Sequence, residues 1–256
     1  MVRGFYTLGS GMLSIQRTMD TISNNVANVR TAGYKKKMLT SSTFDQQLVA
    51  RIESGNNGRI GKGSIVRYVD VLHTDYSQSS LEDTQIPFDI ALVGDGFFRI
   101  QSQNEELEQT LLTRNGRFDL DENGYLVLNG GGMVLGENGP IMLGTSNFTV
   151  DEDGYVYLPE DDSPIDRISL AYPTDYNNLV VYAEGLYIDN DPNPTQVDST
   201  TYSTSFMQGK LENSNVDMAE ETSELMDASR TFQTYSQAMK IIDRIITKSV
   251  TEIGKV

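Results

Sequence analysis

The sequence predicts an α+β chain: N- and C-terminal helices that pair as an antiparallel coiled coil, and between them a central, mainly antiparallel β domain. Two features carry the prediction. Apolar residues recur at heptad spacing at both ends, which holds one seam of a helix against a partner helix. The long stretch between them consists of short apolar runs broken by Gly, Asn and Asp, which is how turn-linked strands read.

The N-terminal stripe is Phe5, Leu8, Met12, Ile15, Met19, Ile22, Val26 and Val29, so the first helix is expected to run to about Val29. Thr31-Ala32-Gly33 ends it, with Gly33 suited to the left-handed C-cap conformation. Lys35, Lys36 and Lys37 follow, favoured near a helix C-terminus by the macrodipole. Residues 38–76 are polar and carry Gly55-Asn56-Asn57-Gly58 and Gly61-Lys62-Gly63, the marks of an extended connecting region, with Ile65 to Asp75 extended.

Residues 77–215 form the β-rich domain. Ile90-Ala91-Leu92-Val93 runs through Gly94-Asp95-Gly96 into Phe97-Phe98-Arg99-Ile100, two strands joined by a tight turn. An internal repeat follows: Phe118 to Leu128 returns as Phe148 to Leu158, each copy with Asn-Gly or Asp-Gly between β-formers. Ile168 to Tyr172 and Leu179 to Tyr182 supply further strands, and Asp189 to Pro194 a loop. The second helix starts after Asn215 and carries Leu225, Phe232, Met239, Ile246 and Ile253 one heptad apart, with Ala228, Tyr235, Ile242 and Ser249 three residues later each time. Residues 1–37 and 216–256 thus make the helical domain. Such helices can close the chain on itself and also pack against copies of it.

Charge and composition narrow the function. The net charge is −16, a poor match for nucleic acid or an anionic membrane surface. There is no cysteine, which excludes disulfides and thiolate chemistry. No apolar run approaches the roughly 18–20 residues that span a bilayer, so no direct membrane insertion is expected. The start lacks a clean apolar core and a small-residue cleavage site, so the chain does not read as a signal-peptidase substrate.

No catalytic constellation stands out. Asp119-Leu-Asp121-Glu-Asn123-Gly124-Tyr125 matches the front half of a calcium loop, but Gly130 occupies the position that needs a bidentate Glu, and a hairpin turn is the expected reading. His73 is the single histidine, in a strand-like setting without nucleophile or ligand spacing. Gly130-Gly131-Gly132 lacks the Lys-Ser/Thr of a phosphate loop. Glu105-Glu106, Asp161-Asp162 and Glu220-Glu221 sit in acidic, solvated stretches. The expectation is no enzyme, no cofactor and no metal.

Charge is segregated along the helices. Residues 1–37 carry Arg3, Arg17, Arg30 and Lys35 to Lys37 against Asp20 alone, whereas Asp217, Glu220, Glu221, Glu224 and Asp227 open the second helix. In an antiparallel pair that acidic turn would lie beside Arg30 and Lys35 to Lys37, selecting orientation more than adding stability. Seam burial falls short of the entropy cost of ordering both ends. The termini are therefore expected to be poorly ordered in a monomer and to fold on assembly.

Several ordered motifs carry a resemblance. Ile22-Ser-Asn24-Asn25-Val-Ala-Asn28-Val29 followed by Thr31-Ala-Gly33-Tyr-Lys-Lys36 resembles the N-terminal signature of flagellar axial proteins of rod, hook and hook-associated type. Pro87 to Phe98, with Gly94 and Gly96, resembles that family's core strand-turn-strand. Thr113 to Phe118 and Gln208 to Val216, with Asn215, also match, as does the C-terminal helix. At 256 residues there is no room for the large outer domain of a hook protein, and the chain resembles the basal-body rod branch of FlgG and FlgF type.

The resemblance implies a structural subunit of the basal-body rod. Its terminal helices would polymerise helically to line the hollow drive shaft and export channel beneath the hook. Partners would be copies of itself, other rod and hook proteins, and the flagellar type III export apparatus. The protein would lie beyond the cytoplasmic membrane without a cleaved signal peptide. Alternatives are a short hook or hook-associated protein, or a secreted β-rich enzyme or carbohydrate-binding module.

Overall fold

The computed structural model describes residues 2–43, 47–51, 58–63, 67–102, 110–159, 163–190, 196–197 and 204–253. The chain divides into two compact units, Met1–Ala27 with Lys37–Thr74 and Asp217–Val256, and Asn28–Lys36 with Asp75–Val216.

The first unit is built on helices α1, Val2–Ala27, and α2, Met218–Ile253. Asp217 starts α2: its carboxylate accepts the N–H of Ala219 at 2.8 Å and of Glu220 at 3.3 Å, and Glu220 and Glu221 place negative charge at the positive end of the helix. α1 stops at Ala27, two residues before the limit expected from the apolar stripe. Within 38–76, expected as an extended connection, the extended backbone is paired. Lys37–Thr43 lies antiparallel to Arg67–Thr74 with a register shift between Thr40 and Ser41, and Gln47–Arg51 lies antiparallel to Gly58–Gly63.

In the second unit every pairing between named strands is antiparallel. A nine-stranded sheet runs Leu179–Ala183, Leu186–Asp189, Thr110–Thr113, Phe97–Ser102, Gly132–Val134, Leu126–Leu128, Phe118–Leu120, with Leu170–Tyr172 and Gln196–Val197 off this path. Alternation along Phe97–Ser102 feeds two cores. Phe98 and Ile100 enter a large cluster with Ile90, Leu92, Leu126, Val134 and Val156, while Phe97 enters a smaller one with Leu112, Leu179 and Tyr187. Ile90–Val93 does not close a hairpin onto Phe97–Ser102. It pairs instead with Ser205–Gln208, because Gly94 (φ +110°) and Gly96 (φ +104°) turn the chain into a different sheet.

The internal repeat is a pair of equivalent hairpin turns. Asp121 accepts the N–H groups of Asn123 (2.8 Å) and Tyr125 (2.9 Å); Asp151 accepts those of Asp153 (3.1 Å) and Tyr155 (2.8 Å). Gly124 and Gly154 both take φ +87°. The carboxylates that resembled calcium ligands are occupied by the turn backbone. The N–H of Tyr125, foremost, holds the Asp121 carboxyl below the ordinary range, so the support it lends is present above about pH 4 and fades as pH falls further.

Two glycines with similar dihedrals separate conformational from steric cost. At Gly154 (φ +87°) an added Cβ would overlap the Phe206 ring, whereas at Gly185 (φ +74°) it would meet nothing within 4 Å. Gly154→Ala is expected to cost about 2–5 kcal/mol and Gly185→Ala about 1–2 kcal/mol, read from urea unfolding midpoints.

Candidate assembly site

Three contacts set how α1 meets α2. A Cβ on Gly4 would lie 3.7 Å from Ile242 Cδ1, and one on Gly11 would lie 2.7 Å from the Tyr235 ring. Asn25 Nδ2 donates to Glu221 Oε2 at 3.0 Å. From Gly4 to Gly11 to Asn25 the chain advances one heptad and then two. From Ile242 to Tyr235 to Glu221 it retreats by the same steps. The helices therefore run antiparallel in one continuous register.

The face of α1 turned to α2 is the small, polar one. Gly11, Ser14 and Asn25 are buried, and Thr18 is half-buried between them. Its threonine hydroxyls are satisfied inside the helix: Thr18 Oγ1 donates to the Ser14 carbonyl and Thr21 Oγ1 to that of Arg17, each at 3.0 Å. The missing side chain at Gly11 lets the Tyr235 ring come close to the α1 backbone, whereas at Gly4 a Cβ would make ordinary contact with Ile242.

The expected apolar stripe lies one residue further round. Ile22 is buried, Leu8, Met12, Ile15, Met19 and Val26 are half-buried, and Phe5 is 42% exposed. Val29 lies beyond the helix end. On α2 the residues Leu225, Phe232, Tyr235, Met239, Ile242 and Ile246 form a half-buried stripe along one face. Ile253 is the last residue of α2, and its side chain lies outside the described residues. The small-residue heptad Gly4, Gly11, Thr18 and Asn25 was open to sequence reading by the same periodicity, but its members are not apolar and so escape a search for hydrophobic stripes.

Asn25 of the N-terminal motif acts as a backbone mimic. The Asn25 carboxamide accepts the Lys37 N–H at 3.0 Å and donates to the Lys37 carbonyl at 2.9 Å, closing a ladder-like pair while also holding the buried Glu221. Asn28 Oδ1 accepts the Thr31 hydroxyl at 3.1 Å in the turn after α1, and Asn24 is half-buried on the helix. In the second unit, Asn215 accepts the Lys36 N–H at 2.6 Å and donates to the Asp75 carbonyl at 2.9 Å, fixing two segments against a third.

Beside Asn215 stands a buried ion cluster. Lys35 is 0% exposed; its Nζ donates to Glu212 Oε1 and to the Ser77 carbonyl, both at 2.7 Å. Glu212 Oε1 also accepts the Ser79 N–H at 3.0 Å, and the Glu212 carbonyl accepts the Gly33 N–H at 2.8 Å. Arg114 reaches Glu212 Oε2 at 3.4 Å and the Gly94 carbonyl at 2.6 Å, with its guanidinium 5.5 Å over the Phe97 ring. Gly33 (φ +66°) is left-handed as expected, and an added Cβ would strike the Arg114 backbone. Lys35 thus departs from the expected arrangement: its partner is Glu212, not the acidic turn that opens α2. A fully buried ammonium needs a carboxylate held by further hydrogen bonds, which Glu212 supplies. In the acidic turn Glu221 is itself buried, not solvated as expected, and is held by Asn25.

His73 is exposed and sits opposite Met38 in the strand pair. Among the described residues no group of three or more His, Cys, Asp or Glu stands close enough to hold a metal ion, and no helix is long and apolar enough to cross a membrane.

Three family models match this chain: flagella basal body rod protein over residues 5–35, flagellar hook protein FlgE/F/G D1 domain over 91–158, and flagellar basal body rod FlgEFG protein C-terminal over 207–251. Lys35, Arg114 and Glu212 come one from each matched segment. The flagellar basal-body rod protein FlgG of Bacillus subtilis is 31% identical over 98% of each chain, and the flagellar hook-basal body complex protein FlhO of the same organism is 30% identical over the whole of both. The flagellar hook protein FlgE of Treponema pallidum is 36% identical over 52% of this chain and 29% of its own.

Removing one partner from the ion cluster leaves the others buried and uncompensated. Lys35→Met is expected to cost about 3–5 kcal/mol at neutral pH, measured by urea unfolding. Burial, only partly offset by Glu212, holds the Lys35 amine below its ordinary value of 10.5. The unfolded chain therefore binds that proton more tightly, and stability gains as pH rises through the interval below 10.5. The difference between wild type and Lys35→Met should widen over that interval.

Proposed function

The chain belongs to the flagellar basal-body rod and hook family, and from that premise we propose that it is a rod subunit polymerising helically through its terminal helices. α1 and α2 act as an antiparallel coiled coil, and the β-rich domain forms the outer wall around the hollow shaft. Partners are further copies of the chain and other rod and hook proteins. The flagellar type III apparatus exports it, without a cleaved signal, to the basal body.

One observation carries this reading. α1 spends its small, polar stripe on α2, which leaves the stripe from Phe5 through Leu8, Met12, Ile15 and Met19 half-covered. An apolar stripe of that length at coiled-coil spacing is a surface for another helix. Neighbouring subunits supply such helices in a helical polymer, and their contacts add the burial that finishes ordering the ends. The role is structural, and the assembly residues are Phe5, Leu8, Met12, Ile15, Met19, Ile22 and Val26 with Leu225, Phe232, Tyr235, Met239, Ile242 and Ile246; Val29 and Ile253 extend the two stripes.

The test is polymerisation of the purified chain, followed by sedimentation and electron microscopy. Leu8→Ser with Ile15→Ser should abolish polymer while leaving the unfolding midpoint of the β-rich domain unchanged. Gln16→Ser, on the exposed face of α1, should polymerise as wild type does. Unchanged assembly of the double variant would remove the stripe from the interface.

A further inference from the structure

The sequence contains Asn-Gly steps at 57–58, 115–116, 123–124, 129–130 and 138–139. At such a step the second residue lacks a Cβ, so its backbone nitrogen can reach the asparagine side-chain carbon. Residue 57 lies outside the described residues, and the other four steps differ in how firmly they are held.

Three are restrained. Asn115 Oδ1 accepts the Arg117 N–H at 3.0 Å, and Gly116 is buried with its carbonyl bonded to the Ile90 N–H at 2.9 Å. Asn123 Nδ2 donates to Asp121 Oδ2 at 3.2 Å, and the Gly124 N–H is engaged by the Asp121 carbonyl at 3.1 Å. Asn138 Nδ2 donates to Asp166 Oδ1 at 3.0 Å. In each case the amide, the attacking nitrogen or the local backbone must first be released.

Asn129 is free of such restraint. It sits at the tip between strands Leu126–Leu128 and Gly132–Val134, in a turn closed by the Gly131 N–H on the Leu128 carbonyl at 2.9 Å. That closure leaves the Gly130 N–H outside the turn. Asn129 and Gly130 are both exposed, Gly130 takes φ +75°, and nothing lies within 4 Å of a Cβ built on it. Among the described residues, neither the Asn129 carboxamide nor the Gly130 N–H forms a hydrogen bond.

We propose that Asn129 is a site of spontaneous deamidation, ahead of Asn115, Asn123 and Asn138. The Gly130 nitrogen attacks Asn129 Cγ, a C–N bond forms, and the side-chain nitrogen leaves as ammonia with the proton lost from the Gly130 N–H. Water then opens the resulting succinimide at either carbonyl, leaving an aspartyl or isoaspartyl residue at position 129. Both products add a carboxylate to a chain already at −16. The isoaspartyl form also inserts a methylene into the main chain inside the turn that the Gly131–Leu128 bond closes.

The experiment holds the purified full-length chain at mildly alkaline pH and follows each Asn-Gly peptide by mass spectrometry, folded and in denaturant. In the folded chain Asn129 should convert roughly ten-fold faster than the other three, because their restraining hydrogen bonds must break first. In denaturant the four rates should converge. Asp121→Ala should raise the rate at Asn123 and leave that at Asn129 alone. Conversion of Asn115, Asn123 or Asn138 as fast as Asn129 in the folded chain would overturn the proposal, as would an unchanged ranking in denaturant.

Discussion

A helix can turn only one face to a single partner, and α1 carries two stripes that both qualify. One is small and polar, the other apolar, and they lie one residue apart around the helix. The close approach of Tyr235 to Gly11 and the Asn25–Glu221 hydrogen bond turn the small stripe to α2, with Ile242 beside Gly4 in the same register. Close approach explains that choice. Glycine lets the Tyr235 ring lie against the α1 backbone, and the Thr18 and Thr21 hydroxyls are satisfied by carbonyls of their own helix, so none needs water. Pairing through the apolar stripe would cover in one chain the surface that the proposed assembly uses between chains.

The β-rich unit is held by a different interaction with the same economy of residues. Glu212 gathers Lys35, Arg114 and the Ser79 N–H on its carboxylate, and the Gly33 N–H on its carbonyl. Buried ion pairs contribute little net stability against an apolar alternative, but they penalise any arrangement that separates the partners. Such a cluster is therefore suited to fixing one arrangement of segments 28–36, 75–80 and 212–216. Asn215 repeats the device with backbone groups, bridging Lys36 and Asp75.

Much of this was legible in the sequence, and the gaps have physical causes. Heptad spacing marked both helices, and the Asn-Gly and Asp-Gly signals of the repeat marked both hairpin turns, because each is a local rule. Partner choice is non-local. Short apolar runs around Gly94-Asp95-Gly96 marked Ile90–Val93 and Phe97–Ile100 as strands but not that they join different sheets. The motifs around Lys35, Arg114 and Glu212 were each recognisable. Their meeting was not, since Lys35 and Arg114 stand 177 and 98 residues from Glu212 along the chain. The extended character of Ile65 to Asp75 was legible but not the pairing of Arg67–Thr74 with Lys37–Thr43, and the facing side of α1 carries small and polar residues that an apolar stripe does not mark.

The most direct measurement is disulfide cross-linking of the monomer, made clean by the absence of native cysteine. Continuing the register between Gly11–Tyr235 and Asn25–Glu221 places Thr18 opposite Ala228. A Thr18→Cys, Ala228→Cys variant should oxidise readily in dilute solution, and a Met19→Cys, Ala228→Cys variant only slowly. The reverse ranking would put the apolar stripe of α1 against α2 and leave no stripe for a neighbouring subunit.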